Sequence, residues 1–395
     1  MPAIKLAGWA LAGLLLGAGA FVGGRVLSYH APPAPRPLPN TLTVPRSNPT
    51  IKPSAGSSQW GSGPAGAGLT PAQVASLYQV SALWHDGAQG QNQPIALIEF
   101  TGVASSDIAR FTASYHYPPL RLHRETLGLP DTAPGLEATL DVEWVHALAP
   151  RSPIWLFDTA SPDDLAAAID QGLMQGIRIF SLSFATLAPD AYPGGGLAIN
   201  RVLQQAADEG AAVFVSAGDW GPYGLESTSA AQYTVNFPAS SPWVVAVGGT
   251  ALTATGHQVA WRYGGGGQSP EFAAPRWQRG IVPNGQRWVP DVAFLAGSPG
   301  VSVYWQHQWV SVEGTSIGAP GWAALWADLR SALEKHPPGF PSPLLYQAYA
   351  ADAPAFTEID QGSNGVYSAH AGWNAVTGLG TPLALNLLHW LRRHP

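Results

Sequence analysis

Short apolar runs that alternate with helical stretches constrain the fold of this chain more than any other feature. The five runs lie at residues 94–100, 154–157, 179–183, 211–216 and 243–247. Runs that are apolar throughout are typical of strands buried on both faces, as in a parallel sheet. Between them lie helical stretches at residues 105–115, 134–148, 162–175 and 195–209. The alternation predicts an α/β fold in which a mostly parallel central sheet is flanked by helices.

The first 69 residues differ in character from the rest of the chain. Residues 1–24 carry Lys5 and then an apolar run with small residues near its end, a pattern that predicts a signal peptide or, if uncleaved, a membrane anchor. Residues 25–69 are rich in Pro, Ser and Gly and predict an extended linker. Residues 70–395 would form one domain that begins with a helix capped by Thr70. Both interpretations of the first segment predict an extracytoplasmic protein, either secreted or tethered to the membrane.

Composition excludes several classes of function. The chain has no cysteine, and therefore no disulfide or thiolate metal site. With 19 Lys and Arg against 25 Asp and Glu it has no basic surface for nucleic acid. The four glycines at 264–267 predict a flexible loop without the spacing or the lysine of a phosphate-binding loop. The sequence Asp-Thr-Ala at 158–160 resembles half of an aspartic-peptidase motif, but a second copy is missing.

Ser316 is the first candidate for catalysis. A hairpin of strands at 301–304 and 309–312 leads to a Gly-Thr-Ser turn, and an apolar helix then runs to about residue 333. A serine at a helix N-terminus lies where unpaired N–H groups and the positive end of the dipole favour developing negative charge. The alternative is that Thr315 or Ser316 only caps this helix. A nucleophile also needs a base, which another part of the chain has to supply.

Acidic residues are the best candidates for that base. Glu137 and Asp141 are four residues apart on a predicted helix, so both carboxylates lie on one face and raise each other's pKa. Their apolar neighbours favour a cleft, although two solvated acids remain the alternative. His146 lies on the same helix, where a lone histidine is more often structural. Asp219 follows a predicted strand at the edge where open α/β sheets bind ligands, although acids are also common in Gly-rich turns.

Taken in chain order, these segments resemble the sedolisin family, the serine-carboxyl peptidases with a subtilisin-like three-layer fold. The motifs that carry the resemblance are Thr-Pro-Ala-Gln at 70–73, the segment 87–100, Glu-Ala-Thr-Leu-Asp at 137–141, Ser-Ala-Gly-Asp at 216–219, the segment 237–250, Gly-Thr-Ser at 314–316 and the segment 372–382. The resemblance implies that Ser316 is the nucleophile and Glu137 the general base. Asp141 would orient Glu137 and share its proton, Asp219 would line the oxyanion hole, and Glu99 would support the base.

The implied activity is that of an acid-acting endopeptidase on protein or peptide substrates. A carboxylate base with an ordinary pKa of roughly 4.3 works best in acid, close to its own pKa. Asp219 can donate a hydrogen bond to an oxyanion only while it is protonated. The alternative is a catalytically inactive binding or scaffold protein, exported or membrane-tethered, on the same fold. Three departures from the family favour this alternative: Phe184 stands where a tryptophan is usual, residues 25–69 are too short for its folded pro-domain, and the calcium site near the carboxyl terminus is weakened.

The resemblance also implies a calcium site near the carboxyl terminus, and it implies no organic cofactor. Its ligands would be the side chains of Glu358 and Asn374 and the backbone carbonyls of Ile359, His370 and Gly372. The family has aspartate where this chain has Glu358 and Asn374. Because one carboxylate is lost and the other is a methylene longer, we expect weaker calcium binding than in the family.

Overall fold

A parallel sheet lies at the centre of the structure, a computed structural model that describes residues 4–5, 67–186, 188–190, 193–225, 233–283, 285–334, 337–351 and 353–394. The strands are β1 (Ile4–Lys5), β2 (Ile95–Glu99), β3 (Thr101–Gly102), β4 (Leu122–Leu127), β5 (Asp131–Pro134), β6 (Ile154–Thr159), β7 (Ile179–Leu182), β8 (Ala212–Ser216), β9 (Val245–Leu252), β10 (Gln258–Ala260), β11 (Gly267–Ala273), β12 (Gln286–Val289), β13 (Val292–Leu295), β14 (Val301–Trp305), β15 (Gln308–Glu313), β16 (Phe356–Thr357) and β17 (Thr381–Pro382). The helices are α1 (Pro71–Leu77), α2 (Val80–His85), α3 (Ser105–Ser114), α4 (Leu136–Leu148), α5 (Leu165–Met174), α6 (Pro193–Asp208), α7 (Gly318–Ala332), α8 (Pro341–Ala350) and α9 (Ala384–Arg393).

The central sheet has the strand order β10-β9-β8-β7-β2-β6-β4, and β13 also pairs with β9. Among the described strands of this sheet, only β10 runs antiparallel to its neighbour. The five apolar runs form β2, β6, β7, β8 and β9. The prediction of a mostly parallel α/β sheet is therefore confirmed.

Helices cover both faces of this sheet. Leu97 of β2 belongs to a core that includes Trp144 of α4 and Trp322 of α7. Its neighbours Ala96 and Ile98 belong to a second core that includes residues of α5 and α6. This division follows from the alternation of side chains along a strand. The result is a three-layer domain in which α4 and α7 lie together against one face.

Two predicted elements have different details in the structure. The helix predicted at 162–175 begins with a separate 3-10 turn, Pro162–Asp164, before α5. The helix predicted to begin at Ser316 is likewise preceded by a 3-10 turn, Thr315–Ile317, and neither hydroxyl in that turn caps α7. The capping interpretation of Thr315 and Ser316 is therefore wrong.

The amino-terminal part of the chain is described only in small pieces. Ile4–Lys5 pairs in parallel with Val312–Glu313 of β15. Of the predicted linker, residues 67–69 belong to the domain, because Leu69 is buried and its N–H donates to the carbonyl of Gly300. The rest of the predicted signal or anchor segment and of the linker lies outside the described residues. Within the described part of the chain, no helix is long and apolar enough to cross a membrane.

Candidate active site

Ser316 lies in the 3-10 turn between β15 and α7, and only 5% of it is exposed. Its hydroxyl donates a long hydrogen bond of 3.4 Å to the carbonyl oxygen of Ser183. Helix α7 begins immediately afterwards at Gly318, where an added Cβ would lie 2.6 Å from the side chain of Val247. A glycine at that point lets the start of α7, and Ser316 with it, approach the carboxyl ends of the sheet strands.

Glu137 lies in the first turn of α4, beside Ser316. Burial and the negative charge of Asp141 raise the pKa of the Glu137 carboxyl well above its usual range, while the Ser316 hydroxyl lowers it. Neither carboxylate oxygen has a hydrogen-bond partner of ordinary geometry among the described residues. The Ser316 hydroxyl is therefore close enough to stabilise the carboxylate, although in this conformation it bonds to Ser183. Glu137 is a buried base with an open acceptor next to a serine.

Asp141 is fully buried on the inner face of α4. Its Oδ2 accepts a hydrogen bond of 2.7 Å from the hydroxyl of Ser183. Burial raises the pKa of Asp141 to about 7, and hydrogen bonds from Ser183 and Glu99 limit the rise. Asp141 is therefore neutral in acid and becomes charged near neutral pH. The alternative of two solvated acids on an exposed helix face is wrong, because nearly every residue of α4 is buried.

Glu99 at the end of β2 lies behind Asp141. Burial, followed by the charges of Asp141 and Glu137, raises the pKa of Glu99 well above its usual range. The neighbouring Glu99 carboxyl in turn lowers the pKa of Asp141, which favours a proton on Glu99 rather than on Asp141. Its Oε1 has no hydrogen-bond partner among the described residues. Phe184 packs on Phe100 with a centroid distance of 4.6 Å and, as a phenyl ring, carries no donor for this oxygen.

A further acid, Asp158, lies next to Glu99 on the neighbouring strand β6, and the two residues are in register. The guanidinium of Arg124 binds its Oδ2 at 2.8 Å. Burial raises the pKa of Asp158, whereas Arg124 lowers it. Arg124 was not among the candidates from the sequence, because its place depends on the pairing of β4 with β6. The aspartic-peptidase interpretation of Asp158 has no support here, since its partner is an arginine.

Asp219 follows β8 and faces the same site, since its charge also raises the pKa of Glu137. Its Oδ1 accepts hydrogen bonds from the backbone N–H of Thr315 at 2.8 Å and from the Thr315 hydroxyl at 2.7 Å. That hydroxyl oxygen in turn accepts from the N–H of Gly218, which orients its proton towards Asp219. With Oδ1 occupied by two donors, a proton on Asp219 resides on Oδ2. Burial raises the pKa of this carboxyl to about 6.

Two other titratable residues of α4 do not belong to the site. The carboxylate of Glu143 accepts a hydrogen bond of 3.0 Å from the backbone N–H of Tyr304. His146 is buried with its ring against Tyr117, at a centroid distance of 5.6 Å. Burial lowers the pKa of His146 to about 4. The structure therefore brings together the five predicted site residues, which are Ser316, Glu137, Asp141, Asp219 and Glu99, and leaves this histidine outside.

The residues predicted to bind calcium lie together elsewhere, around the loop before β17. The side-chain amide nitrogen of Asn374 donates to the carbonyl oxygens of Ile359 at 3.1 Å and His370 at 3.2 Å. The carboxylate of Glu358 accepts from the hydroxyl of Tyr349 at 3.0 Å and from the N–H of Gly372 at 3.2 Å. A nitrogen donor thus faces the carbonyls that a cation would need. In the described part of the chain, no cluster of three or more His, Asp or Glu residues has the arrangement of a metal site.

Comparisons with known proteins agree with this geometry. Residues 158–349 match the subtilase family. Kumamolisin of Bacillus sp. (strain MN-32) is 32% identical over 367 residues, which are 82% of this chain and 63% of that protein. Sedolisin of Pseudomonas sp. (strain 101) is 32% identical over 243 residues, which are 55% of this chain and 41% of that protein. The chain thus spans less than two thirds of the length of either relative.

Solved structures show the same similarity. Pseudomonas sedolisin, a serine-carboxyl proteinase complexed with two molecules of pseudo-iodotyrostatin, superposes with a TM-score of 0.73 at 25% identity. The match covers 83% of this chain and 98% of that one. Sphericase superposes with a TM-score of 0.52 at 16% identity over 77% of this chain and 97% of its own, a similarity of fold alone.

Proposed function

Because the chain belongs to the sedolisin family of serine peptidases and has its subtilisin-like fold, we propose that it is an acid-acting serine-carboxyl endopeptidase. It hydrolyses peptide bonds of protein or peptide substrates through an acyl-enzyme on Ser316. The observation that carries the proposal is the buried, unpaired carboxylate of Glu137 beside the Ser316 hydroxyl. A general base must lie within reach of the proton that it takes, and hydrogen bonds of this kind often tighten only when substrate binds.

In the first step Ser316 turns its hydroxyl from the Ser183 carbonyl to Glu137. Oγ attacks the carbonyl carbon of the substrate while its proton passes to Glu137. The carbonyl oxygen becomes an oxyanion, and when this tetrahedral intermediate collapses Glu137 returns the proton to the leaving amine. Water then repeats the sequence on the acyl-enzyme, with Glu137 again taking the proton and giving it back to Ser316.

Asp219 supplies a donor for the oxyanion. Thr315 occupies its Oδ1, so the proton on Oδ2 is the one that can be directed at the substrate. The donor exists only below the Asp219 pKa of about 6. The N–H of Ser316 is the natural second donor, since the first N–H groups of a helical turn have no partner within that turn.

Asp141 keeps the base usable in acid. Its charge is one of the influences that raise the pKa of Glu137. Below its own pKa of about 7 Asp141 holds a proton, so that this charge is absent and Glu137 can remain ionised at a lower pH. Glu99 supports this state by holding a proton of its own against Asp141. Together, Asp141 and Asp219 place the activity below roughly pH 6 to 7.

Export fits an enzyme that works in acid. We propose that residues 1–24 direct the protein out of the cytoplasm and are either removed or retained as a tether. The alternative is a catalytically inactive, exported or membrane-tethered binding protein on this fold. The hydrogen bond between Ser316 and Ser183 favours that alternative, because an inactive protein would keep its serine turned away from Glu137.

Proteolysis of an unfolded protein substrate between pH 3 and pH 7 tests the proposal, with the full chain compared to its Ser316→Ala variant. We expect cleavage that is confined to acid and abolished by the substitution. A folded wild type that cleaves nothing at any pH, with or without added calcium, would favour the binding protein instead. Cleavage that survives in Ser316→Ala would exclude Ser316 as the nucleophile.

A further inference from the structure

Asn374 has an unusual set of hydrogen bonds for a side chain in a loop. It is 1% exposed, and its Oδ1 accepts from the N–H of Val376 at 3.2 Å and the N–H of Thr377 at 3.0 Å. The Thr377 hydroxyl donates to the same oxygen at 3.0 Å. An amide nitrogen cannot accept hydrogen bonds, so these backbone donors leave no ambiguity about which end of the amide is the oxygen.

The other end of the amide is therefore the NH2 group, and it points at two backbone carbonyls. It donates to the oxygen of Ile359 and to the oxygen of His370, one with each hydrogen. These are two of the carbonyls that the family resemblance assigns to a calcium ion. A calcium ion needs six to eight oxygen ligands at about 2.3–2.6 Å. The hydrogens of the Asn374 amide occupy the position between the two carbonyl oxygens where the ion would bind, and they already satisfy both oxygens with hydrogen bonds.

Glu358, the carboxylate that the resemblance assigns to the calcium site, is also engaged. Glu358 is exposed, and its two oxygens accept from the Tyr349 hydroxyl and the Gly372 N–H. The N–H belongs to Gly372, whose carbonyl was expected to be a calcium ligand together with Glu358. The carboxylate of Glu358 thus connects the loop to Tyr349 of α8 and connects two parts of the loop, at Glu358 and Gly372, through ordinary hydrogen bonds.

We propose that the Asn374 amide takes the place of a calcium ion, so that this chain holds its carboxyl-terminal loop without a metal. The loop needs to be held because it leads into the packing of the carboxyl-terminal segment. The Leu379 N–H donates to the carbonyl of Asp291, and the Gly380 carbonyl accepts from the N–H of Ala293, at the edge of β13. An amide between two carbonyls closes the loop in the same way as a shared cation would.

The exchange has a consequence for a protein that works in acid. A calcium site loses its ion when its carboxylates are protonated, so that its contribution to stability is pH-dependent. The Asn374 amide has no charge to titrate. The link that Asn374 makes between the two carbonyls therefore does not depend on pH in the acidic range or on the concentration of calcium.

Thermal unfolding with and without calcium at near-neutral pH tests this proposal on the full chain. The unfolding midpoint of the wild type should be the same in excess calcium chloride and in a calcium chelator. Asn374→Asp places a carboxylate oxygen against the two carbonyls, which creates repulsion and an oxygen cluster for a cation. Its midpoint should fall in chelator and recover by several degrees in calcium, with one calcium site in a binding titration that the wild type lacks.

Asn364 provides a matched control. It is buried, its Oδ1 accepts from the N–H groups two and three residues later, and its amide nitrogen donates to one carbonyl, that of Gly264. Asn364→Asp should lower the unfolding midpoint. Its midpoint should not respond to calcium, since the new carboxylate would face the Gly264 carbonyl alone and not the pair of carbonyls that faces Asn374.

Two results would overturn the proposal. One is a wild type whose midpoint rises with calcium and loses that rise in Glu358→Gln. The other is an Asn374→Asp variant that folds, is destabilised in chelator, and gains nothing from calcium. The readouts are unfolding and calcium binding, so they do not depend on whether the protein is a peptidase.

Discussion

Replacement of Asp219 tests the electrostatics of the proposed mechanism most directly. Thr315 donates twice to Oδ1, so an asparagine at this position should keep its oxygen there and place its NH2 group where Oδ2 was. Asp219→Asn therefore retains a donor for the oxyanion, and this donor does not titrate. Asp219→Ala removes it. The two variants separate the presence of the donor from its dependence on pH.

The expected magnitudes follow from the raised pKa. A carboxyl with a pKa of about 6 is half protonated at pH 6 and only about 1% protonated at pH 8, so the wild type should lose roughly 50-fold in activity from this group between pH 6 and pH 8. Asp219→Asn should not show this loss. Its activity should still fall as Asp141 loses its proton near pH 7, with a shallower decline. Below pH 6, where the wild type still holds the proton on Asp219, Asp219→Ala should lose about 10²- to 10³-fold in kcat, since one oxyanion donor is worth about 3 to 4 kcal/mol, and the difference from the wild type should shrink towards pH 8.

The assay is kcat/KM on an internally quenched peptide from pH 3 to pH 8, with far-UV circular dichroism to confirm that each variant is folded. Asp86→Asn, at an exposed acid beyond the end of α2, serves as the control and should match the wild type. The reasoning would be refuted if Asp219→Asn lost activity at the same pH and as steeply as the wild type. Activity of Asp219→Ala within tenfold of the wild type at pH 4 to 5, where the wild type holds the proton, would refute it as well.

Three further predictions concern the acidic cluster. Glu137→Gln should lower kcat by at least 10²-fold at every pH, because an amide cannot take the serine proton, while the urea unfolding midpoint at pH 7 should not fall. The free energy of unfolding, measured by urea titration of inactive Ser316→Ala, should be highest below about pH 4 and decrease by a few kcal/mol as pH rises through 6 to 7. The sign follows from the folded-state pKa values of Asp219 and Asp141, about 6 and about 7, which lie above the unfolded values, and Asp141→Asn in the same background should flatten the curve. Glu99→Gln keeps a donor towards Asp141 and should reduce kcat/KM less than Glu99→Leu does; equal losses would contradict a role as a neutral donor.

The sheet could be predicted where burial is complete and not where it is partial. The five predicted strands are apolar throughout because helices cover both of their faces. Strand β4, Leu122–Leu127, forms the edge of the sheet, and several of its side chains are exposed and polar. Its sequence is therefore close to that of a loop. Gly267 was expected in a flexible loop but begins β11, whose pairing with β12 arises from contacts that are distant in sequence.

The positions of the site residues could be predicted from local sequence, whereas their interactions could not. Glu137 and Asp141 lie on one helix, and the spacing alone places their carboxylates together. Arg124 and Asp158 are 34 residues apart in the sequence, and their contact depends on how β4 pairs with β6, which the local sequence does not determine. The orientation of the Asn374 amide depends on which backbone groups surround it. An asparagine in place of an aspartate suggested a weakened ligand; its hydrogen bonds indicate a donor.

The buried acids connect the proposed chemistry to the stability of the fold. Glu99, Glu137, Asp141 and Asp219 are each desolvated, and desolvation raises the pKa of each one. At neutral pH such a cluster would bury several negative charges, with Arg124 as its nearby cation, bound to Asp158. In acid, protons neutralise most of this charge, and the shared protons become hydrogen bonds between carboxyl groups. Acidic pH therefore minimises the free-energy cost of burying the cluster, and at the same pH Asp219 can donate a hydrogen bond and Asp141 is neutral. As pH rises towards neutral, a peptidase built on these acids would lose both stability and the proton that Asp219 donates, while Glu137 still has to be ionised in order to act as the base. A variant that stabilised the cluster at neutral pH by removing its carboxyl groups would lose the groups that perform the reaction.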